Sequence, residues 1–203
     1  MTGWDFRQIQ TQTGWGRTLQ SFSRWCRPEA GWVTLDAGCG PGLLPALFQE
    51  LGCRAFGIDL DGAAFVPAPL HPSVVQGRAS HLPFASQTFH LVTATNLLFF
   101  LDDPAPVLHE LRRVTQPGGW VAVLNPSERM SVQAAAVLTS ELGLQDAAAE
   151  SLLNWAARAE AHRRWNPDEL RALFQTADLE LVDWEYRIGP GLALFARARR
   201  SRS

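Results

Sequence analysis

The sequence has no lysine, so all 18 of its Lys and Arg positions are arginine. A lysine nucleophile or a Schiff base is therefore excluded from any mechanism. Cysteine is also scarce. The three cysteines, Cys26, Cys39 and Cys53, are an odd number and have no zinc-ligand spacing, so neither a metal site nor a disulfide framework is predicted. This pattern favours a reducing compartment, and we expect the cytoplasm.

Long hydrophobic runs and an excess of one charge are missing too. The longest apolar run, 91–101, contains polar residues and is far shorter than the ~20 residues of a membrane span. The first ten residues lack the apolar core of a signal peptide. A net charge of −2 gives no general attraction to nucleic acid. We therefore expect a monomer or homodimer with no nucleic-acid or membrane partner.

The most informative stretch is Val33–Gly42, which reads V-T-L-D-A-G-C-G-P-G. An apolar, β-branched run is followed by a loop of small residues, and an apolar pattern with helical spacing begins at Leu43. In a strand–glycine loop–helix unit, backbone N–H groups and the helix N-terminus point at a ligand. The stretch therefore predicts a site for a nucleotide-like ligand.

Short apolar runs alternate with helical patterns through most of the chain, which predicts an α/β fold with a mostly parallel sheet. Asn125 to Trp165 has no strand pattern and predicts two helices inserted after the fifth strand. The turn Gly189–Gly191 is too short for a parallel crossover, so the last two strands are predicted to form an antiparallel hairpin. The arginine-rich tail from Arg197 is expected to be a solvated terminus.

Two aspartates indicate which ligand the glycine loop binds. Asp36 precedes the glycines, and a carboxylate there is a poor neighbour for a pyrophosphate but a good one for an ammonium group. Asp59 follows the second strand, where a carboxylate accepts hydrogen bonds from both hydroxyls of a ribose. A ligand with a ribose, an amine and no pyrophosphate is required, and S-adenosylmethionine fits.

Four ordered motifs between residues 33 and 125 resemble those of the class I S-adenosylmethionine-dependent methyltransferases. Val33–Gly42 resembles their first motif, and G-I-D-L-D at 57–61 resembles their acidic second-strand motif. The segments 81–92 and 109–119 are similar to the L-P-F-x(4)-F-D-x-V signature, and to the helix and turn after it, of the small-molecule subgroup that includes ubiquinone and menaquinone methyltransferases. The resemblance implies a Rossmann-like, seven-stranded, mostly parallel sheet with helices on both faces, a helical insertion after strand five and a C-terminal antiparallel hairpin.

The resemblance also implies roles for individual residues, although it identifies no catalytic group. Asp36 holds the amino group of the cofactor, directly or through a water, or alternatively only stabilises the loop. Asp59 holds the ribose, Asn96 and Leu97 line the methyl-donor end, and the remaining positions line the methionine and adenine parts. The implied cofactor-binding set is Asp36, Gly38, Cys39, Gly40, Asp59, Leu60, Ala79, Ser80, Asn96 and Leu97. Candidates for contact with the methyl acceptor lie near the carboxyl ends of strands four and five, on the N-terminal segment and on the insertion: Trp15, Phe99, Asn125, Arg129 and Trp155.

Two positions depart from the family pattern. Arg78 stands where the family usually has an aspartate that accepts from the adenine amine, and an arginine has donors only. Ser80 or a water substitutes for that acceptor, or cofactor binding is weak. His90 stands where the family has an aspartate after the conserved phenylalanine, and we interpret it as structural.

The sequence predicts one methyltransferase-like domain over 1–203. It divides into an N-terminal helical cover (1–31), a cofactor-binding half (32–125), a helical insertion or lid (126–166), and the last helix and hairpin (167–199). The predicted function is methyl transfer from S-adenosylmethionine to a small, largely apolar metabolite. A non-catalytic cofactor-binding module or partner subunit remains an alternative. The apolar faces of the insertion either pack on the sheet or on each other, form a dimer contact, or wall the acceptor pocket.

Overall fold

A computed structural model describes residues 13–65 and 73–202, and within them a seven-stranded sheet lies between two layers of helices. The strand order is β3-β2-β1-β4-β5-β7-β6. The strands are β1 (Val33–Ala37), β2 (Arg54–Asp59), β3 (Val74–Gln76), β4 (Phe89–Thr95), β5 (Thr115–Pro126), β6 (Leu179–Arg187) and β7 (Ala193–Arg200). The helices are α1 (Gly14–Trp25), α2 (Leu43–Glu50), α3 (Ala105–Val114), α4 (Val132–Glu141), α5 (Asp146–Ala161) and α6 (Pro167–Thr176), with 3₁₀ turns at Gly62–Phe65 and Leu98–Phe100.

The predicted fold is confirmed in its topology. Strands β1 to β5 pair in parallel, whereas β7 pairs antiparallel with both β5 and β6. Strands β1, β2, β4, β5 and β6 therefore end at one edge of the sheet, which is called the carboxyl edge below. Ligands of open α/β sheets bind at this edge, beside the point where the strand order reverses between β1 and β4.

The sheet is buried on both faces, which explains the nearly continuous apolar runs of its strands. On one face, α1 and α2 bury side chains that include Phe22, Leu44 and Phe48. On the other, α3 and α6 bury Leu108 and Phe174 among others. The inserted helices α4 and α5 form a smaller third cluster with each other and with the loop before β7.

Helix starts follow local sequence signals. Thr13 accepts a hydrogen bond from Trp15 N and caps α1, and Asn166 forms a complete capping box with Glu169 at the start of α6. Gly14 and Gly16 lie in the first turn of α1. The apolar positions Trp4, Phe6 and Ile9, predicted to belong to the N-terminal cover, lie outside the described residues.

The expectation of a solvated tail from Arg197 was wrong. Strand β7 continues to Arg200, and only 6% of Arg197 and 8% of Arg200 are exposed. The guanidinium of Arg200 donates to the carbonyls of Arg112, Arg113 and Thr115, where α3 ends and leaves carbonyls without helical partners. These arginines are therefore structural parts of the sheet.

The turn predicted at Pro117–Gly119 belongs to β5, which begins at Thr115 and carries an irregularity in its pairing with β4 between Phe89 and Leu91. No helix among the described residues is long and apolar enough to cross a membrane.

Candidate active site

The glycine loop after β1 is fixed to the end of β2. The N–H groups of Gly38 and Cys39 both donate to the carbonyl of Ile58, at 2.8 and 3.1 Å. Gly40 N donates to Asp59 Oδ2 at 2.7 Å, and Asp61 N donates to Oδ1 at 2.9 Å. Each carboxylate oxygen retains a free lone pair, so the half-buried Asp59 can accept ribose hydroxyls as well.

A close approach of two backbones makes this arrangement possible. A Cβ on Gly57 of β2 would lie 2.7 Å from Cys39 Sγ and 3.0 Å from Pro45 Cγ. Only glycine allows the loop to approach β2 so closely. Cys39 is buried by this contact, and burial raises the pKa of its thiol, so it is a packing residue rather than a nucleophile.

Asp36 is buried at the end of β1, with 1% of its surface exposed. Its Oδ1 accepts a hydrogen bond from Thr93 Oγ1 at 2.8 Å, whereas its Oδ2 has no partner among the described residues. Burial raises the pKa of Asp36 to about 8, Thr93 opposes this rise, and the nearby charge of Asp59 adds to it. A buried carboxylate with one unpaired oxygen is suited to receive a cationic ligand group.

The loops after β1 and β4 meet at Gly38 and Leu97. A Cβ on Gly38 would lie 3.4 Å from the Leu97 side chain. Asn96 adopts a left-handed conformation with φ of 51°, and its N–H donates to Leu124 O at 2.7 Å. Its side-chain Oδ1 accepts from Trp155 Nε1 of α5 at 3.2 Å.

A cavity of about 720 Å³ opens beside these loops. Gly38, Asp59, Asn96 and Leu97 form its side toward the glycine loop. The remaining wall comes mainly from α1, the insertion, the end of β6 and the beginning of β7. It includes Trp15, Arg17, Phe99, Phe100, Leu138, Leu142, Leu144, Leu152, Trp155, Arg158, Arg187 and Phe195. A largely apolar wall with few polar groups is typical of a small-molecule site.

The structure brings three of the five acceptor candidates together. Trp15, Phe99 and Trp155 line the cavity, and the rings of Trp15 and Trp155 lie 5.5 Å apart. Asn125 is fully buried in β5, and its side-chain nitrogen and oxygen have no partner among the described residues. Arg129 instead lies over the ring of Tyr186, 3.7 Å from its centroid. Neither Asn125 nor Arg129 is among the described residues that line the cavity.

The predicted adenine side lies around the ends of β2 and β3. Leu60 is 56% exposed, and Gln76 Nε2 donates to its carbonyl at 3.0 Å. Ala79 and Ser80 are half-buried in the loop after β3, and Ser80 Oγ lies 3.1 Å from His81 Nδ1. Arg78 in the same loop is exposed. Leu60 thus exposes an apolar side chain directly after β2.

His90 lies far from the cavity, at the beginning of β4. Its Nδ1 accepts a hydrogen bond from Val33 N at 3.0 Å, and its ring stacks on Trp32 with centroids 5.8 Å apart. The geometry agrees with the structural role expected for it, because it supplies an acceptor for the first N–H of β1.

Four polar residues of this region are not among the candidates predicted from the sequence. Thr93 orients Asp36 from the adjacent strand. Arg17, Arg158 and Arg187 line the cavity. The position of Arg187 in the sequence was a usable signal. Arg187 lies at the end of the first strand of the predicted hairpin, and this end is at the carboxyl edge. For the other three residues, only the tertiary structure shows the neighbourhood.

Comparison with known proteins shows similarity to methyltransferases. The sequence profile described as a methyltransferase domain matches residues 35–123, which run from β1 into β5. The chain is 32% identical over 167 residues to a ubiquinone biosynthesis O-methyltransferase of Albidiferax ferrireducens, covering 76% of this chain and 62% of that protein. An uncharacterized methyltransferase of Mycobacterium leprae is 29% identical over 84% of this chain and 63% of its own length. Residues 35–123 therefore match a methyltransferase domain, and the chain as a whole resembles the class I S-adenosylmethionine-dependent methyltransferases.

The fold comparison agrees with this assignment. A crystal structure of an S-adenosylmethionine-dependent methyltransferase from Aquifex aeolicus superposes with a TM-score of 0.66, at 15% identity, over 97% of this chain and 98% of that one. The chain spans only about three fifths of the first curated relative. The cofactor of the family is S-adenosylmethionine, and the site fits it. The unpaired Asp36 Oδ2 suits its ammonium group, Asp59 its ribose and Leu60 its adenine.

Proposed function

We propose that this methyltransferase transfers the methyl group of S-adenosylmethionine to a small, largely apolar metabolite. The observation that carries the proposal is the shape of the cavity. Its wall includes Gly38 and Asp59, which belong to the cofactor loops, and also the aromatic side chains of Trp15, Phe99 and Trp155. This lining supports adjoining places for the cofactor and the acceptor in one space.

The residues of the glycine loop would hold the cofactor. Asp59 would accept from its ribose, Asp36 would receive its amino group, and Gly38 and Gly40 allow the methionine part to lie against the backbone. Asn96 and Leu97 would line its methyl-bearing end. The bound cofactor supplies an electrophilic methyl group, so the protein has to place the acceptor in line with it and exclude water.

The helices α1 and α5 would position the acceptor and exclude water on the acceptor side. They cover the cavity with Trp15 and Trp155, and Trp155 is also bonded to Asn96. No histidine belongs to the described cavity wall, whose acidic members are Asp59 and Glu150. A general base is needed only if the acceptor must lose a proton before it reacts. The names of the curated relatives favour an oxygen atom as the nucleophile.

The exposed position of Arg78 is compatible with adenine binding, although an arginine cannot accept a hydrogen bond from the adenine amine. Because its side chain is exposed, it does not bury an unpaired charge against the adenine ring. The acceptor for the adenine amine would then come from Ser80 or a water, with Ala79 offering its backbone.

The remaining assignments are part of the same proposal. We place the protein in the cytoplasm, as a monomer or homodimer, with no nucleic-acid or membrane partner. The four segments 1–31, 32–125, 126–166 and 167–199 would act as one domain, in which the insertion serves as the specificity element.

Calorimetric titration with S-adenosylhomocysteine tests the cofactor site. We expect binding to the wild type, at least about tenfold weaker binding to Asp59→Ala, and unchanged binding to Asp102→Ala, an exposed aspartate outside the cavity. Release of S-adenosylhomocysteine from S-adenosylmethionine, measured over a panel of apolar phenols, tests turnover. No binding to the wild type would disprove the proposal. Binding with no turnover on any acceptor would support the alternative, a cofactor-binding module or partner subunit.

A further inference from the structure

The cavity carries more positive charge than an apolar acceptor requires. Arg17 of α1, Arg158 of α5 and Arg187 of β6 all line it, against the acidic residues Asp59 and Glu150. Asp59 is engaged with the glycine loop through Gly40. Glu185 forms an ion pair with Arg187, so on the acceptor side three guanidinium groups face the carboxylates of Glu150 and Glu185. The remaining positive charge favours an anionic group on the acceptor.

Arg187 has the geometry of an anchor. Its Nε is buried and has no hydrogen-bond partner among the described residues. Its Nη2 donates to Glu185 Oε2 at 3.0 Å, and the guanidinium lies 5.9 Å from the ring centroid of Phe195, which also lines the cavity. A buried N–H without an acceptor is costly, so a ligand oxygen at this place satisfies a group that the protein leaves unpaired.

The register of the sheet gives the distance between the anchor and the donor end. Arg187 pairs with Ala193, and Ala193 pairs with Pro126, two residues beyond Leu124, which pairs with Thr95. Arg187 and Asn96 are therefore both at the carboxyl edge, on strands three spacings apart, which amounts to about 14 Å. An acceptor that spans this distance is elongated, with its reactive atom at one end and its anion at the other.

We propose that the acceptor carries a carboxylate and that Arg187 binds it at the end of the cavity remote from the methyl donor. This inference rests on the proposed function. The planar, forked guanidinium matches a carboxylate, whose two oxygens can accept in parallel. The carboxylate is an anchor, and no bond to it forms or breaks during the reaction.

A matched pair of probes tests the proposal. The probe 4′-hydroxybiphenyl-4-carboxylate has a hydroxyl and a carboxylate on the order of 10 Å apart, shorter than the strand separation of about 14 Å, so the Arg187 side chain has to span the difference. Its neutral carboxamide has nearly the same shape. With S-adenosylhomocysteine present, we expect the wild type to bind the carboxylate at least about tenfold more tightly than the carboxamide.

The variant Arg187→Gln should lose this preference while binding the carboxamide as the wild type does. The control Arg54→Gln, an exposed arginine outside the cavity wall, should keep it. Equal binding of the two probes by the wild type would overturn the proposal, even if Arg187→Gln proved unable to fold. A preference kept by Arg187→Gln but lost in Arg158→Gln would overturn Arg187 as the anchor.

The cofactor titration separates this proposal from the proposed function. Binding of S-adenosylhomocysteine without a preference for the carboxylate would leave methyl transfer standing and remove the anchor. A preference for the carboxylate in the absence of any cofactor binding would leave the anchor standing and remove the proposed methyl transfer, since the pairing with Arg187 does not require the cofactor.

Discussion

The indole N–H of Trp155 donates a hydrogen bond to Asn96 Oδ1 at 3.2 Å. This contact links the inserted helix α5 directly to the loop after β4, at the predicted methyl-donor end of the site. Trp155 also packs partly buried against all three hydrophobic clusters and against the ring of Trp15. It therefore connects the sheet, the N-terminal helix and the insertion at the cavity wall.

The variant Trp155→Phe should separate acceptor positioning from cofactor binding. It keeps an aromatic ring but removes the donor to Asn96, with an expected loss of about 0.5–1.5 kcal/mol in the free energy of unfolding. We expect the affinity for S-adenosylhomocysteine to change by less than about threefold and kcat to fall by about tenfold or more, because a misplaced acceptor loses alignment. Urea unfolding, calorimetry and steady-state kinetics measure these quantities. The control Trp184→Phe, 42% exposed on β6, should leave all of them unchanged. A kcat equal to that of the wild type would contradict the positioning role.

Asp36 should make cofactor binding depend on pH. Its pKa is raised to about 8, so at neutral pH it is largely protonated before the ligand binds. The ammonium group of the cofactor favours the ionised carboxylate, so binding should release a proton and strengthen as pH rises towards about 8. Calorimetry in two buffers with different ionisation enthalpies measures the released proton. The variant Asp36→Asn should bind more weakly and release none, and equal heats in the two buffers for the wild type would refute the assignment.

The same shift has a consequence for stability. A carboxyl whose pKa is higher in the folded than in the unfolded chain binds more protons when folded between about pH 4 and pH 8. Its contribution to stability is therefore complete below its unfolded pKa and is lost as pH rises through the folded value. The free energy of unfolding of Asp36→Asn should thus fall less steeply with pH over this range than that of the wild type. Parallel urea titrations of the two proteins test this difference in slope.

Gly57→Ala should damage the site through packing alone. The added Cβ would meet Cys39 Sγ at 2.7 Å and Pro45 Cγ at 3.0 Å, so the glycine loop must shift away from β2. We expect a destabilisation of about 1–3 kcal/mol, together with weaker binding of S-adenosylhomocysteine. Gly14→Ala is a suitable control, since its Cβ would find only the Arg17 guanidinium at 3.8 Å. A variant with wild-type stability and affinity would show that the loop adjusts without cost.

The sequence allowed the sheet topology to be predicted because the first five strands are short apolar runs that alternate with helical patterns, and a short glycine turn joins the last two. It also placed Asp36 and Asp59 at the ends of adjacent strands, since parallel strands share an edge. The arginines were predicted less well. Arg197 and Arg200 look like a polar tail in sequence, yet the strand continues and buries them against Trp120 and the end of α3. Their burial depends on partners from other parts of the chain, which local patterns do not reveal. The same applies to the cavity positions of Arg17 and Arg158.

His90 provides a test of a position where the sequence departs from its family. Its Nδ1 is the acceptor for Val33 N, so His90→Ala should leave a half-buried N–H unpaired and cost about 1–3 kcal/mol. His90→Asn retains an acceptor and should recover part of that loss, although it gives up the stacking on Trp32. Both variants should bind S-adenosylhomocysteine and turn over as the wild type does, because the residue lies at the opposite edge of the sheet from the site. Chemical unfolding measures the first effect and calorimetry with steady-state kinetics the second. A loss of turnover in a stable, cofactor-binding His90→Asn would assign the histidine a part in the reaction.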